Sequence, residues 1–353
     1  MGHSQAGRIL VGNCSWTDPT LIASGGFYPA GVSSAAGRLG YYASRFPIVE
    51  IDSTFYGPPN ERNAQLWVER TPPGFVFDIK VFALLTGHGA APDRLTPELQ
   101  DLVPPEAAGK RNVYLRDLPP TAEALLWETH RRALAPLQAA GKLGAVLFQF
   151  PPWFKAGRAG REHIRKAVRE LDPFPIAVEF RGGGWLGDEA ATARTLSFLE
   201  SEGASYVSVD EPQGFANSTP PLAVATARTA VVRFHGRNRE TWQIRGRAAS
   251  DRFNYLYDEA ELQEWVAPIG ELAERAAVVH VLFNNNYRDY GVRNARQMTA
   301  LLGLTAGAAP ATSESAGPPD TAEPTEASRT GNGAVEGGAP RARRRPPGQE
   351  TLL

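Results

Sequence analysis

Short apolar runs alternate with helix-like stretches along most of the chain. Eight of these runs have the length and the β-branched or aromatic content of buried strands. The runs are 9–15, 48–54, 75–82, 145–150, 176–181, 205–210, 230–235 and 278–284. Helical spacing is found at 37–45, 60–70, 122–140, 160–171, 188–202, 258–275 and 290–303, and segment 211–229 has the weakest helical pattern. The alternation predicts a parallel α/β fold, and the number of strands favours a single (β/α)8 TIM-type barrel over the alternative, a doubly wound open sheet.

Within the strands, polar residues near the carboxyl ends share one parity. Because successive side chains point to opposite faces, residues i and i+2 lie on the same face. The polar set is Gly12, Cys14, Glu50, Asp52, Asp78, Lys80, Gln149, Glu179, Arg181, Asp210, Arg233, His235 and Asn284. The opposite parity is apolar and is expected to pack on the helices, so the polar set should point inward at the C-terminal mouth of the barrel. An interior filled only for stability would be mostly apolar, which favours a functional mouth.

Composition divides the chain into a barrel of residues 1–304 and a tail of residues 305–353. The tail is rich in Ala, Gly, Pro, Ser, Thr and Glu and has no aromatic residue, so it is predicted to be disordered. The net charge of −1 provides no overall attraction to nucleic acid or membranes. A single cysteine and the absence of any apolar stretch of about 20 residues predict a cytoplasmic protein without membrane contact.

Several motifs follow one another in the order of a known family. They include Gly-Asn-Cys-Ser-Trp at 12–16, Glu-Ile-Asp-Ser-Thr-Phe-Tyr at 50–56 and Leu-Phe-Gln-Phe-Pro-Pro at 147–152. The others are Phe-Tyr-Pro at 27–29, Val-Glu-Phe-Arg at 178–181 with Trp185, Val-Arg-Phe-His-Gly-Arg at 232–237, and Phe-Asn-Asn at 283–285 with Asn-Ala at 294–295. Over about residues 9–303 the chain resembles the family called domain of unknown function 72 (YecE-like). The resemblance implies a TIM-type barrel, distantly similar to the endonuclease IV fold, without an established activity.

The chain departs from this family pattern at two places. The family commonly has Asn where this chain has Asp52, which adds a carboxylate beside Glu50. It often has His directly after the arginine of the fifth strand, where this chain has Gly182, Gly183 and Gly184. A role for that histidine therefore cannot be transferred to this chain.

Three carboxylates, Glu50, Glu179 and Asp210, are expected to face one cavity. Carboxylates gathered in a desolvated site either bind a cation or acquire divergent pKa values for acid–base chemistry. One divalent ion, Mg²⁺, Mn²⁺ or Zn²⁺, held by these residues or Asp52 is a candidate cofactor. The alternative is a charge-balanced polar core, in which the carboxylates pair with lysine and arginine. Both interpretations are open from the sequence.

His235 is the strongest single catalytic candidate, because it ends the seventh strand two residues after Arg233 and can titrate near neutral pH. A buried structural histidine is the competing interpretation. The predicted catalytic residues are Glu50, Glu179, Asp210 and His235. The residues expected to bind substrate are Trp16, Asp52, Tyr56, Lys80, His88, Gln149, Arg181, Trp185, Arg233, Arg237, Trp242, Asn284 and Asn285.

Two loops at the predicted mouth carry further signals. The loop 236–257 interleaves arginines with aromatic residues, a pattern typical of nucleic-acid or nucleotide binding, although the aromatics could instead anchor the loop to the barrel. Its members are Arg237, Arg239, Arg245, Arg247, Arg252, Trp242, Phe253, Tyr255 and Tyr257. The loop 83–121 is long for a βα connection, and is interpreted as a lid or as a simple insertion.

The last five residues resemble the short Gln-x-x-Leu peptides with which bacterial replication proteins bind the DNA sliding clamp. The match rests on Gln349, Leu352 and Leu353, where Leu353 replaces the usual aromatic residue. The sliding clamp is therefore an expected partner, and chance recurrence of a short peptide is the alternative.

Three functional hypotheses follow from these patterns. The first is a metal-assisted or acid–base hydrolase acting on an anionic, phosphate-containing substrate, including nucleic acid. The second is a glycoside-acting enzyme that uses two carboxylates and tryptophan platforms. The third is a non-catalytic adaptor that binds nucleic acid.

Overall fold

The computed structural model describes residues 6–182, 184–243 and 249–305. Eight parallel strands close into a barrel in which each strand pairs with the next and β8 pairs with β1. The strands are β1 (Arg8–Cys14), β2 (Ile48–Ile51), β3 (Val76–Lys80), β4 (Leu143–Gln149), β5 (Ile176–Glu179), β6 (Ser205–Asp210), β7 (Thr229–Phe234) and β8 (Val278–Phe283). The predicted barrel is confirmed, and the pairing of β1 with β8 excludes the open sheet.

Helices surround the barrel. They are α1 (Pro19–Ser24), α2 (Ala35–Ala43), α3 (Glu61–Glu69), α4 (Pro97–Gln100), α5 (Pro105–Ala108), α6 (Pro120–Ala139), α7 (Arg158–Glu170), α8 (Glu189–Ser201), α9 (Ala249–Arg252), α10 (Glu259–Gln263), α11 (Val266–Arg275) and α12 (Tyr290–Leu301). Residues 211–228 form no helix, so the weakest of the helix predictions is wrong. The long loop 83–121 contains the short helices α4 and α5, and the stretch 258–275 is divided into α10 and α11.

Polar side chains at helix starts show why the helices begin where they do. Asn60 accepts a hydrogen bond from the backbone N–H of Asn63 at the start of α3, and Asp188 accepts one from Ala191 at the start of α8. Asp258 and Glu261 form a reciprocal capping box at the start of α10. Each cap satisfies N–H groups that have no partner within the helix.

Two apolar layers hold the barrel together. The larger layer lies between the strands and the helices and includes Val49, Phe77, Phe148 and Phe234. The smaller layer fills the interior and is formed by the opposite strand parity, with Leu10, Ile48, Val76, Leu147, Val207, Val209, Val231 and Leu282 among its members. The predicted apolar parity is therefore found against the helices, with the exception of Val209. None of the helices in the described part of the chain is both long and apolar enough to cross a bilayer.

Gly144 allows the barrel interior to accommodate a buried polar pair. His280 Nδ1 lies 3.0 Å from Asp78 Oδ2, and both residues are almost fully buried. A Cβ atom on residue 144 would lie 2.3 Å from Asp78 Oδ1 and 2.8 Å from His280 Cε1. Any side chain at this position must therefore displace the pair.

We expect Gly144→Ala to lower the free energy of unfolding by about 1–3 kcal/mol, because the added methyl group overpacks the interior. Gly270→Ala is the matched control, since a Cβ atom there has no neighbour within 4 Å and the residue lies inside α11. The control should raise the free energy of unfolding by about 0.5–1 kcal/mol. Urea denaturation of both variants measures the difference, and equal stability of the two would contradict this packing.

Candidate functional site

Arg233 lies at the centre of a buried charge network at the C-terminal end of the barrel. Its Nε donates to Glu50 Oε2 at 2.8 Å, and its Nη2 donates to Glu50 Oε1 at 2.7 Å. Its Nη1 donates to the carboxylate of Glu179. None of the three side chains is exposed to solvent. The side chain from β7 thus joins carboxylates that project inward from β2 and β5.

Arg181 extends the network towards the mouth. Its Nη2 lies 2.6 Å from Glu179 Oε1, and its Nη1 donates to the carboxylate of Glu211. The other carboxylate oxygen of Glu211 accepts a hydrogen bond of 2.7 Å from the backbone N–H of Thr219. Glu211 therefore ties the loop after β6 to the end of β5.

Within this network, Glu179 and Arg233 hold each other ionised. Burial alone would raise the pKa of Glu179, but Arg181 and Arg233 outweigh it and keep that pKa well below its usual range. Burial alone would lower the pKa of Arg233, but Glu179 and Glu50 raise it well above its usual value. Burial raises the pKa of Glu211 to about 7, although Arg181 opposes the shift. The pairing of these carboxylates with arginines corresponds to the charge-balanced polar core, which was the alternative interpretation of the sequence pattern.

His235 is fully buried and braces this network. Its Nε2 lies 2.8 Å from Arg181 Nη2 and 3.2 Å from Glu179 Oε1, and its Nδ1 lies 2.9 Å from Asn284 Nδ2. Burial, together with the charge of Arg181, lowers the pKa of His235 to about 3. The ring is therefore neutral at physiological pH. It does not face solvent, and its contacts orient Arg181.

A cavity of about 770 Å³ opens above the network at the barrel mouth. Arg181 lines it beside Lys155 and Arg252, and no carboxylate belongs to its described lining. The guanidinium carbon of Arg181 lies 5.2 Å from the ring centroid of Trp242, which also lines the cavity. Gln149, Phe253 and His88 contribute further polar and aromatic surface. The cavity therefore combines positive charge with aromatic walls.

Asp52 and Lys80 are neighbours at the same end of the barrel, outside the arginine network. The register pairs Ile51 with Ile79, so the residues that follow them, Asp52 and Lys80, lie side by side. Both side chains are partly exposed. Burial raises the pKa of Asp52 to about 6 although Lys80 opposes the shift, and burial together with Arg233 lowers the pKa of Lys80.

Asp210 lies apart from Glu50 and Glu179, and none of the three lines the mouth cavity, so the prediction that these carboxylates face one cavity is wrong. Its carboxylate accepts hydrogen bonds from Tyr257 Oη, Trp265 Nε1 and Arg237, each at 2.7 Å. Val207 and Val209 occupy the inward parity of β6, so the inward carboxylate is Glu211. Arg237 and Asp210 instead line a second cavity of about 690 Å³, which lies between the loop after β6 and helix α11 and is also lined by Glu211.

Two of the predicted tryptophans also lie away from the mouth. Trp16 packs edge to face against Trp67, with ring centroids 6.2 Å apart. Trp185 stacks on Phe180 at 4.5 Å and is fully buried. Both rings pack against the helices, so neither has an exposed face on which a sugar could stack.

The remaining predicted residues have distinct positions. Asn285 donates to the backbone of Tyr255 and to Asn294, which ties the end of β8 to its neighbours. Tyr56 lies at the mouth with 56% of its surface exposed. Gly183, Arg245, Arg247 and the terminal residues Gln349, Leu352 and Leu353 lie outside the described residues, as does the predicted tail apart from Thr305. Clamp binding therefore stays a prediction.

The four residues considered as metal ligands do not converge. Glu50 and Glu179 accept hydrogen bonds from Arg233, and Asp210 accepts hydrogen bonds from Arg237. Within residues 6–182, 184–243 and 249–305, no group of three or more His, Cys, Asp or Glu side chains is arranged to hold a metal ion. The donor set expected from the sequence is thus not assembled.

Glu211, Lys155 and Trp153 are among the residues near the mouth that the sequence did not predict. Glu211 follows β6 directly, and continuing the parity of Val207 and Val209 by one step would have found it. Lys155 and the exposed Trp153 follow the Pro-Pro turn after β4. Both lie within the part of the chain that resembles the family, but only their position after the carboxyl end of a strand indicated a functional role.

Comparison with known proteins places this geometry in a family. The chain is 32% identical to the UPF0759 protein YunF of Bacillus subtilis over 300 residues, which is 84% of this chain and 95% of that protein. A DUF72 family protein of Enterococcus faecalis, solved at 3.10 Å, matches with a TM-score of 0.67 at 25% identity and covers 87% of this chain and 100% of its own. A DUF72 family protein of Thermotoga maritima matches with a TM-score of 0.65 at 28% identity and covers 84% and 99%.

The family profile described as Protein of unknown function DUF72 matches residues 10–319. The family resemblance drawn from the motifs is confirmed, and the chain belongs to the DUF72 family.

Proposed function

We propose that the barrel mouth binds a ligand that carries both a phosphate group and a planar ring, as a nucleotide unit does. The observation that carries this proposal is the lining of the mouth cavity, where Lys155, Arg181 and Arg252 meet aromatic side chains without a carboxylate among the described residues. Cations attract phosphate oxygens, and aromatic rings stack on bases. Because the whole chain has a net charge of −1, the attraction is local to this cavity.

Arg181 is suited to the phosphate because its guanidinium is already oriented. Glu179, Glu211 and His235 fix it from one side, and Trp242 covers it from another. A side chain held in its binding geometry loses little conformational entropy when the ligand binds. The volume of about 770 Å³ falls within the usual range of small-molecule sites.

The glycoside alternative is less well supported by this geometry. Such an enzyme needs two carboxyl groups on either side of the scissile bond. Glu50 and Glu179 are both fully buried and both bonded to Arg233. The cavity itself presents cations, which neutral sugars do not require.

Hydrolysis of the bound phosphate ester is a second candidate, in which Asp52 and Lys80 would act from beside the cavity. Lys80 Nζ lies 4.4 Å from the ring of Phe55, and that ring contacts His88 of the cavity lining. Asp52 would take a proton from water while the water oxygen bonds to phosphorus. The ester P–O bond would break, and the leaving oxygen would take a proton from the ammonium group of Lys80. This assignment moves the base from Glu50, Glu179 and Asp210 to a carboxyl group that is partly exposed and outside the arginine network.

Binding is tested by titration calorimetry with thymidine 5′-monophosphate. Lys155→Gln and Arg252→Gln should each weaken binding by about tenfold or less, as expected for loss of one phosphate contact of about 1 kcal/mol, and added salt should weaken the wild-type affinity. Arg8→Gln is the control, because Arg8 is exposed at the opposite end of the barrel. Equal effects of all three variants, or no binding, would contradict the proposal.

Catalysis is tested by following hydrolysis of thymidine monophosphate and dinucleotides from pH 4 to pH 9. Because the base acts deprotonated and its pKa is about 6, the rate should rise with pH up to about 6. It should fall again at alkaline pH, where Lys80, whose pKa is lowered by burial, loses the proton that it must donate. Asp52→Asn should lower the rate by about 10²–10⁴-fold while leaving binding intact. Asn is the residue the family commonly has here, so the variant is expected to fold. Turnover that persists in this variant would rule out Asp52 as the base.

A further inference from the structure

An aromatic ridge runs along the rim of the mouth and is formed by Tyr56, Phe55, His88 and Trp153. The ring centroids of Phe55 and Tyr56 are 5.4 Å apart, those of Phe55 and His88 are 5.1 Å apart, and those of His88 and Trp153 are 5.6 Å apart. Tyr56 and Trp153 are 56% and 59% exposed, and they are the two exposed large hydrophobic side chains of the described residues. The most exposed aromatic surface therefore lies in one continuous row.

The ridge is held in place by the partial burial of its two inner rings and by polar contacts. Thr86 Oγ1 lies 2.7 Å from His88 Nδ1, and Trp153 Nε1 donates to the backbone oxygen of Gly87 at 3.4 Å. Lys80 Nζ lies 4.4 Å from the ring centroid of Phe55. These contacts come from the loops after β2, β3 and β4 and fix rings that solvent would otherwise leave free to rotate. Exposed apolar surface that is fixed in this way is typical of a binding site.

The edge-to-face geometry leaves ring faces open. The interplanar angles are 90° for Phe55 with Tyr56, 80° for Phe55 with His88, and 68° for His88 with Trp153. A T-shaped contact covers at most one face of one ring, so the ridge keeps faces on which other planar groups can stack. Burial, together with Lys80, lowers the pKa of His88 to about 4, so its ring is neutral at physiological pH.

The ridge is continuous with the mouth cavity. His88 and Trp153 line that cavity together with Arg181 and Trp242, and Lys155 follows Trp153 by two residues. A single-stranded nucleic acid with one nucleotide in the cavity would continue from the cavity over the ridge. Its phosphates would lie near Lys155 and Arg252 of the cavity lining, and its bases would meet open ring faces. A duplex cannot use such a surface, because its bases already stack on one another.

We propose that the ridge is a stacking platform for the bases of a single-stranded nucleic acid, whose first nucleotide unit occupies the mouth cavity. This inference rests on the proposed function of that cavity and extends its ligand from one nucleotide to several. Cationic grooves with interleaved aromatic rings bind single strands in this manner with little sequence preference.

The experiment measures the affinity of the full chain for thymidine 5′-monophosphate and for oligothymidylates of two, four and eight nucleotides. Affinity should rise with length beyond the dinucleotide. Tyr56→Ala and Trp153→Ala should each weaken binding of the octanucleotide by roughly five- to a hundredfold, the usual effect of losing one base–aromatic stack. Tyr56→Ala should leave binding of the monophosphate unchanged, because Tyr56 lies outside the cavity lining, whereas Trp153→Ala should weaken binding of the octanucleotide more than binding of the monophosphate, because Trp153 lines the cavity as well. Both side chains are largely exposed, so the variants are expected to fold.

Tyr56→Phe and Trp153→Phe are the matched controls, because they keep an aromatic ring and should retain most of the affinity. Binding of the monophosphate without any gain with length, or alanine variants without effect, would overturn the stacking platform and leave the proposed function of the cavity standing. No binding of any nucleotide would overturn both. Equal affinity for a duplex, or salt-insensitive binding of a neutral oligosaccharide that is lost in the alanine variants, would also overturn the platform.

Discussion

The pairing of guanidinium groups with carboxylates inside the barrel is the constraint on which the site depends. A buried ion loses several kcal/mol of hydration, and only close, multiple hydrogen bonds offset this loss. Arg233 satisfies the condition by contacting Glu50 with two nitrogens and Glu179 with the third. Removal of any one partner would leave an uncompensated charge. The strands β2, β5 and β7 are thereby fixed relative to one another at the end of the barrel where ligands bind.

The same network separates a structural layer from a binding layer. Glu50, Glu179 and Arg233 are sealed from solvent, whereas Arg181 belongs to both the network and the cavity wall. The charge of Arg181 is already matched by Glu179 and Glu211, so Lys155 and Arg252 give the cavity its positive charge. The chain thus generates an anion-attracting mouth without an excess of basic residues overall.

Strand alternation predicted the barrel and most of the inward polar residues, because side-chain parity is a local property. The convergence of Glu50, Glu179, Arg233 and His235 followed from it directly. Asp210 was misplaced because the inward parity of β6 carries the apolar Val207 and Val209, so the polar parity indicated the wrong face. Trp16 and Trp185 were misplaced because they lie in loops, where parity gives no direction. Which carboxylate pairs with which arginine depends on barrel closure, a long-range feature that local patterns do not contain.

The carboxylate of Glu211 links the barrel mouth to the loop after β6. One of its oxygens is engaged by Arg181 and the other by the backbone N–H and hydroxyl of Thr219. A guanidinium has only about five N–H donors to distribute. Glu179, Glu211 and His235 already draw on the donors of Arg181. An anion that accepts a hydrogen bond from Arg181 therefore competes with Glu211 for the same N–H donors. Binding of a ligand in the cavity would then weaken the contact that attaches the loop after β6 to the end of β5.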